Sequence, residues 1–260
     1  MDDPAHPVLS SDDAHHLGRV LRLRAGEEVI VSDGVGHWAR TRWTGDGGGG
    51  SGGGALGAER GCPGVTGVLA ALADAPGPGG DGSVQFEEAP LPKLTVAFAP
   101  TKGERPEWVV QKLTELGIDR VVPLVSERSV VRWSGTRGQG AVERLRRVAR
   151  EAAGQCRRVW LPEIAEVMRF EALVGLGAPG DVVLAQLSGD RLRESQLVVA
   201  VGPEGGWSAD ELASGLPTVG FGLSVLRAET AAVTAAALMV SLRTGTVAQM
   251  APTAPVGESS

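Results

Sequence analysis

One stretch concentrates residue types that could do chemistry. Leu197-Val-Val-Ala-Val201 reads as a buried strand and runs directly into Gly202-Pro203-Glu204-Gly205-Gly206. Ser208 then stands ahead of a short helix, with Glu211 three residues later, the spacing of a capping box. Ligands of open α/β sheets bind beyond the carboxyl ends of strands, and glycine there lets a ligand approach the backbone. A plain tight turn between strand and helix would use the same residues, so local sequence leaves both readings open. Glu204 could orient a bound molecule, accept a proton, or cap the turn through backbone amides. Arg227 stands just before a closing apolar helix, Glu229–Leu242. There its guanidinium could stabilise developing negative charge, or pair with Glu229 or with a partner subunit. Thr230 reads as the N-cap of that helix.

Other chemistries find less support. Gly175-Leu-Gly177-Ala-Pro-Gly180 spells GxGxxG, but a dinucleotide fingerprint must follow a strand and open a helix. Here a helix precedes it and a strand, Val182–Leu187, follows. No Gly-Lys-Ser/Thr follows a Gly-rich turn, which removes the P-loop. Cys62 and Cys156 form no CxxC pair, and His15 and His16 have no carboxylate or Cys at ligand spacing, so no metal is expected. Cys156 reads as a packed small residue. The acidic, polar N-terminus is unlike a signal peptide, and the apolar run Ala231–Leu242 is too short to span a bilayer. The expected setting is the reducing cytoplasm.

The elements that must position these residues fall into two textures. Residues 1–90 read as a small β module: Val20–Leu23, Glu28–Val31 and His37–Trp43 as strands, with a hairpin turn at Asp33-Gly34. Segments 65–72 and 84–88 could complete a barrel. Nine of residues 45–57 are Gly, which loses the most backbone entropy on ordering, so a flexible loop is expected there. From Leu94 buried strands alternate with amphipathic helices: strand Leu94–Ala99, helix Pro106–Leu116, strand Val121–Val125 and helix Ala141–Ala153, ended by Gly154. Strands Val182–Leu187 and Leu197–Val201, helix Ala209–Ala213, strand Thr218–Phe221 and the closing helix follow. This is an α/β pattern with a mainly parallel sheet over residues 91–248 and a flexible tail over 249–260. The linker is expected near Ala89-Pro90-Leu91-Pro92.

Net charge is −6, which argues against a nucleic-acid partner until it is resolved along the chain. Residues 1–90 carry 6 basic and 13 acidic side chains, residues 91–170 carry 15 and 9, and residues 171–260 carry 4 and 9. Phosphate contacts depend on local Lys and Arg, so the central excess could bind RNA, although basic helices can equally be solvated faces.

The whole string Val201-Gly-Pro-Glu-Gly-Gly-Trp-Ser-Ala-Asp-Glu211 closely resembles the signature of the RsmE-type 16S ribosomal RNA uracil-N3 methyltransferases, a branch of the SPOUT class. Five further segments match in order: His16–Arg22, Thr101–Ile118, Glu127–Val130, Arg150–Arg158 and Val225–Ala231. The resemblance implies a PUA-like RNA-binding β-barrel joined to a catalytic domain with a SPOUT-type trefoil knot, working as a homodimer in the cytoplasm. It implies S-adenosyl-L-methionine as cofactor, no metal, and ribosomal RNA or the small ribosomal subunit as partner. Carried onto this chain, the cofactor residues are Leu187, Val201, Gly202, Pro203, Glu204, Gly205, Gly206, Leu223, Leu226, Arg227 and Thr230, with Gly220 or Gly222 as the lining glycine of the last motif. The ambiguity arises because Gly220-Phe-Gly222-Leu-Ser stands where the family usually has Leu-Gly. Arg227 and Glu204 are the catalytic candidates. Arg19, Arg22, Arg24, Lys102, Arg128, Arg132, Arg157 and Arg158 are the candidate RNA contacts. Two alternatives stay open: a SPOUT methyltransferase acting on another nucleotide or a ribose, and an RNA-binding ribosome-assembly factor without catalysis.

Nothing in the composition of residues 45–57 makes them a binding element. Deleting them should leave the melting temperature and the methylation rate nearly unchanged. A loss of activity beyond about tenfold, worth ~1.4 kcal/mol, would contradict that reading.

Overall fold

The computed structural model describes residues 22–42, 68–71 and 84–248. Chain contacts divide the molecule into two compact units. One comprises residues 1–90 with 110–115 and 143–163; the other comprises 91–109, 116–142 and 164–260.

In the first unit, β1 (Glu28–Ser32), β2 (His37–Arg42), β3 (Val68–Ala71) and β4 (Gln85–Phe86) form a sheet in the order β3-β1-β2-β4. The pairings are antiparallel, with Val31 opposite Ala39 across the β1–β2 hairpin. Asp33 makes the turn. Its Oδ1 accepts the backbone N–H groups of Val35 (2.8 Å) and His37 (3.0 Å), while Oδ2 lies 2.7 Å from His37 Nδ1. The segment after the long helix joins this turn: Gly36 N–H donates to Val159 O (3.1 Å) and Leu161 N–H to Gly34 O (2.9 Å). Trp160 Nε1 donates to Glu87 O at 2.8 Å. These bonds tie residues 159–161 to the N-terminal unit, with which residues 143–163 group, and no local pattern announced it. The strand expected over Val20–Leu23 is absent at its described end. Arg22 has φ 53°, outside the β region, and residues 22–24 carry no strand. The Gly-rich segment 45–57 and Arg19 lie outside the described residues.

The second unit is built on a sheet in the order β11-β9-β10-β5-β6-β7. Its strands are β5 (Thr95–Phe98), β6 (Arg120–Val125), β7 (Glu163–Ile164), β9 (Val182–Asp190), β10 (Val198–Val201) and β11 (Thr218–Val219), with β8 (Met168–Arg169) paired to β6. The pairings β11–β9, β9–β10, β10–β5 and β5–β6 are all parallel. Both central strands, β5 and β10, are buried at every position, as continuous apolar runs in a sheet covered on both faces should be. The helices of the chain are α1 (Arg105–Leu116), α2 (Gly135–Cys156), α3 (Phe170–Leu173), α4 (Ala209–Leu212) and α5 (Ala228–Arg243); residues 110–115 of α1 and 143–156 of α2 group with the first unit. The Gly175–Gly180 segment is a turn between α3 and β9, a helix-to-strand loop.

Three boundaries differ from the sequence expectation for identifiable reasons. Helix α2 does not stop at Gly154, which is buried inside it; it runs on to Cys156. It ends at Arg157, whose φ is 58°, with Arg158 N–H on Ala153 O (2.9 Å) and Arg157 N–H on Gly154 O (3.4 Å). That is the Schellman pattern with arginine in the position glycine usually takes. Strand β9 extends to Asp190 because β11 slips along it: Thr218 pairs with Leu184, but Val219 pairs with Asp190. A Cβ on Gly189 would lie 2.4 Å from the Val219 backbone, so only glycine permits this approach. β11 is two residues long because Gly220 N–H turns to Asp190 O (2.8 Å).

The end of α5 is tied down by a nearly buried ion pair. Arg243 Nη1 donates to Asp119 Oδ2, and the two side chains are 7% and 9% exposed. Arg243 Nη2 also donates to Gly117 O (2.9 Å), and Asp119 Oδ2 accepts Leu94 N–H (2.9 Å). Removing one partner leaves a buried charge uncompensated, so Arg243→Ala should cost about 3–5 kcal/mol in chemical unfolding. An unchanged denaturation midpoint would show that the pair contributes nothing.

Candidate active site

The turn after β10 is shaped by its own side chains. Ser208 N-caps α4: its hydroxyl accepts Glu211 N–H (3.2 Å), while Glu211 Oε2 accepts Ser208 N–H (2.8 Å). The capping box read from the sequence is therefore formed. Glu211 is only 6% exposed, and its Oε1 accepts the backbone N–H of Glu127 (2.9 Å) in the loop after β6. The indole of Trp207, 4% exposed, turns under the loop and donates from Nε1 to Ala185 O of β9 (3.0 Å). It lies 5.6 Å from the ring of Phe170, and a Cβ on Gly202 would meet it at 3.0 Å. Gly202 is thus glycine because an indole sits against its backbone.

Beyond the carboxyl end of β10 and beside the middle of β9 this loop walls a cavity of about 660 Å³, within the usual range of small-molecule sites. Three stretches line it: Ala185–Leu187 of β9, Val201–Glu204 with Gly206 and Trp207, and Ser224–Ala228 with Phe221. The wall is largely apolar. Its charged side chains are Arg105, Glu204 and Arg227.

Of the cofactor residues expected from sequence, Leu187, Val201, Gly202, Pro203, Glu204, Gly206, Leu226 and Arg227 line this cavity. Five others do not. Gly205 faces the Arg128 side chain, which a Cβ there would meet at 3.6 Å. Gly220 packs against the carbonyl oxygens of Gly189 and Leu187, which a Cβ would approach to 2.9 and 3.0 Å, so its role is backbone packing. Gly222 has φ 141° and open space around it, and Leu223 is fully exposed. Thr230 is not the N-cap; Arg227 holds that position without a side-chain cap bond, and Thr230 lies inside the first turn, exposed. The helix begins one residue earlier than its pattern suggests because Ala228 is buried and already helical.

Arg227 is exposed on the cavity wall and makes no ion pair among the described residues; the alternative pairing with Glu229 is not formed. Glu229 instead faces Arg105, with Nε to Oε1 at 3.7 Å. Arg105 also donates from Nη1 to Glu204 Oε1 at 3.0 Å. Arg105 falls inside the matching segment Thr101–Ile118, but no local signal marks it as a site residue, and none marks Trp207. Nothing in a separation of 99 residues announces the Arg105–Glu204 contact.

The basic residues divide. Lys102 follows β5, and Arg128 and Arg132 follow β6; because these strands run parallel to β10, they share the sheet edge that carries the cavity. Arg128 Nη1 donates to Gly205 O (3.2 Å). Arg132 folds onto its own loop, donating to Ser129 O (3.3 Å) and Glu127 O (2.8 Å). Arg22, Arg24, Arg157 and Arg158 belong to the first unit, where Arg158 Nη1 donates to Thr114 O (3.3 Å). Cys156, read from sequence as a packed small residue, is exposed at the end of α2; partial desolvation still pushes its thiol up from the ordinary value, which disfavours the thiolate. Among the described residues no His/Cys/Asp/Glu group could hold a metal, and no helix is long and apolar enough to cross a membrane.

Residues 87–240 match the family model of an RNA methyltransferase domain, and residues 9–46 match an RNA methyltransferase PUA domain. The chain is 32% identical over 252 residues to ribosomal RNA small subunit methyltransferase E of Synechocystis, covering 90% of this chain and 73% of that protein. It is also 32% identical to the Bacillus subtilis protein of that name, covering 86% and 85%. A probable rRNA-methyltransferase of Porphyromonas gingivalis superposes with TM-score 0.64 at 25% identity, covering 92% of this chain and 94% of the other. A Legionella pneumophila putative methyltransferase in complex with the bound cofactor SAM shares the fold, with TM-score 0.70 at 24% identity, covering 92% and 93%.

Gly202 and Gly205 now make contrasting expectations. Gly202→Val should displace the Trp207 indole and weaken S-adenosylmethionine binding by at least about tenfold, ~1.4 kcal/mol. Gly205→Ala meets Arg128 in ordinary contact and should bind within about threefold of the wild type. Titration calorimetry on both variants checks this, and equal losses would place Gly205 at the ligand after all.

Proposed function

This chain belongs to the ribosomal RNA small subunit methyltransferase E family, and from that premise we propose that it methylates N3 of a uridine in small-subunit (16S) ribosomal RNA with S-adenosylmethionine as donor. The cofactor supplies a methyl group activated by a positively charged sulfur. The cavity fits such a molecule: it is largely apolar, its floor at Gly202 is bare backbone against Trp207, and Ala228 and Ala231 of α5 leave room on the far side. A charged pair, Arg105 and Glu204, stands on the wall.

The observation that carries the reading is Arg227. N3 of uracil holds a proton, and its loss puts negative charge on the ring carbonyl oxygens. A fixed cation beside those oxygens favours that state. Arg227 has the required properties: it begins α5, lines the cavity, and has no carboxylate partner among the described residues. Glu204 has a different environment, because Arg105 occupies one of its carboxylate oxygens. This supports a role in orientation rather than proton transfer. The family resemblance favours uridine N3 as the acceptor over another base position or a ribose hydroxyl.

Lys102 and Arg128, in the loops after β5 and β6, with Arg22, Arg24 and Arg157 of the other unit, are our proposed phosphate contacts. Arg132 and Arg158, like Arg128, donate to backbone carbonyls and keep further guanidinium N–H donors for a phosphate, and they complete the proposed set. We extend the reading to a trefoil knot in the C-terminal catalytic domain and a cytoplasmic homodimer, both of which rest on the family alone.

Arg227→Ala should leave the melting temperature and the oligomer mass unchanged, because the side chain is exposed. Single-turnover methylation should slow by about 10²-fold or more, the usual scale for a preorganised oxyanion donor. Arg227→Lys should recover part of that rate, since an ammonium lacks the planar fork. A stable Ala variant with a near-normal rate would move the catalytic cation elsewhere.

A further inference from the structure

Arg105 and Glu204 form an ion pair on the cavity wall although their elements are otherwise separate: one opens α1, the other sits in the loop after β10. Both side chains are about half exposed, 44% and 57%. Behind them Glu229 is largely buried at 14% exposure, and its Oε1 lies 3.7 Å from Arg105 Nε. Its second oxygen is buried with no hydrogen-bond partner. An exposed ion pair by itself contributes little to stability, so its place on a cavity wall calls for a ligand rather than for packing.

We propose that Arg105 and Glu204 together form a clamp for the zwitterionic α-amino-acid end of S-adenosylmethionine, an inference that rests on the cofactor reading above. The pair is a fixed dipole. An amino acid end carries a carboxylate and an ammonium a similar distance apart, and it can lie antiparallel to that dipole with each charge against its opposite. The guanidinium has five N–H donors in a planar fork, so it can take a carboxylate while keeping a bond to Glu204. Glu229 is the positioning residue: its buried carboxylate holds Arg105 from behind when the ligand competes for the front. Arg227, the other cation on the wall, lacks a neighbouring carboxylate and makes no such dipole.

The test uses the full-length protein and three ligands in titration calorimetry: S-adenosylmethionine, its decarboxylated analogue, and 5′-methylthioadenosine, which lacks the whole amino-acid end. Wild-type protein should bind the decarboxylated analogue at least about tenfold more weakly than the parent. In Arg105→Gln, S-adenosylmethionine should weaken by at least about tenfold, while the other two ligands change by less than about threefold. Arg105→Lys should fall between, and melting temperatures of both variants verify the fold. If all three ligands weaken together in a folded variant, Arg105 only shapes the loop and the clamp is wrong. Equal wild-type affinity for the parent and decarboxylated ligands also overturns it. If the folded wild type binds none of the three, the cofactor reading itself has failed, and the clamp with it.

Discussion

The carboxylate of Glu211 accepts two backbone N–H groups from two different loops, and the geometry of the cavity depends on that arrangement. One oxygen closes the capping box at Ser208, while the other reaches Glu127 in the loop after β6. Charge-assisted bonds of this kind are among the stronger ones, and burial at 6% exposure keeps water from competing. The turn between Val201 and Ser208 is therefore fixed at its far end and anchored laterally. With the end fixed, the Trp207 indole has one place to go, under Gly202 and onto Ala185 O. The cavity wall is a consequence of these bonds more than of the glycines themselves.

The same economy governs the other wall. Gly189 lets β11 lie against the outer part of β9, and Gly220 then packs on the carbonyls at that strand's end. The chain is thereby delivered to Arg227 at the head of α5, directly across from the turn after β10. The far end of α5 is held by the Arg243–Asp119 pair. A helix fixed at its C-terminus and started by a residue on the cavity wall offers Arg227 a defined base, which a preorganised cation requires. The Arg105–Glu204 contact joins the third element, α1, to this frame.

Local chemistry was legible wherever its partners are close in sequence. The capping box at Ser208–Glu211, the Asp33-Gly34 hairpin and the alternation of buried strands with helices follow from spacing alone, because each is completed within a few residues. Boundaries were less legible where a tertiary contact extends or cuts an element. Gly154 reads as a helix stop but is buried inside α2, and the true stop is an arginine at positive φ. Thr230 has the chemistry of an N-cap, yet the burial of Ala228 starts the helix earlier.

What the sequence determined by itself is the class of site: an α/β sheet, a Gly-Pro-Glu-Gly-Gly turn at a strand end, a cation before the closing helix, and the family whose motifs these are. Only the tertiary structure decided which side chains face the cavity and which face each other. Gly205 and Gly220 belong to the right motifs but point at Arg128 and at β9, whereas Arg105 and Trp207 enter the wall. The physical reason is that a strand end or a turn presents its residues in directions set by what packs beneath it. For residues 202–211 that packing is supplied by Ala185, Phe170 and Glu127, which no local pattern places there.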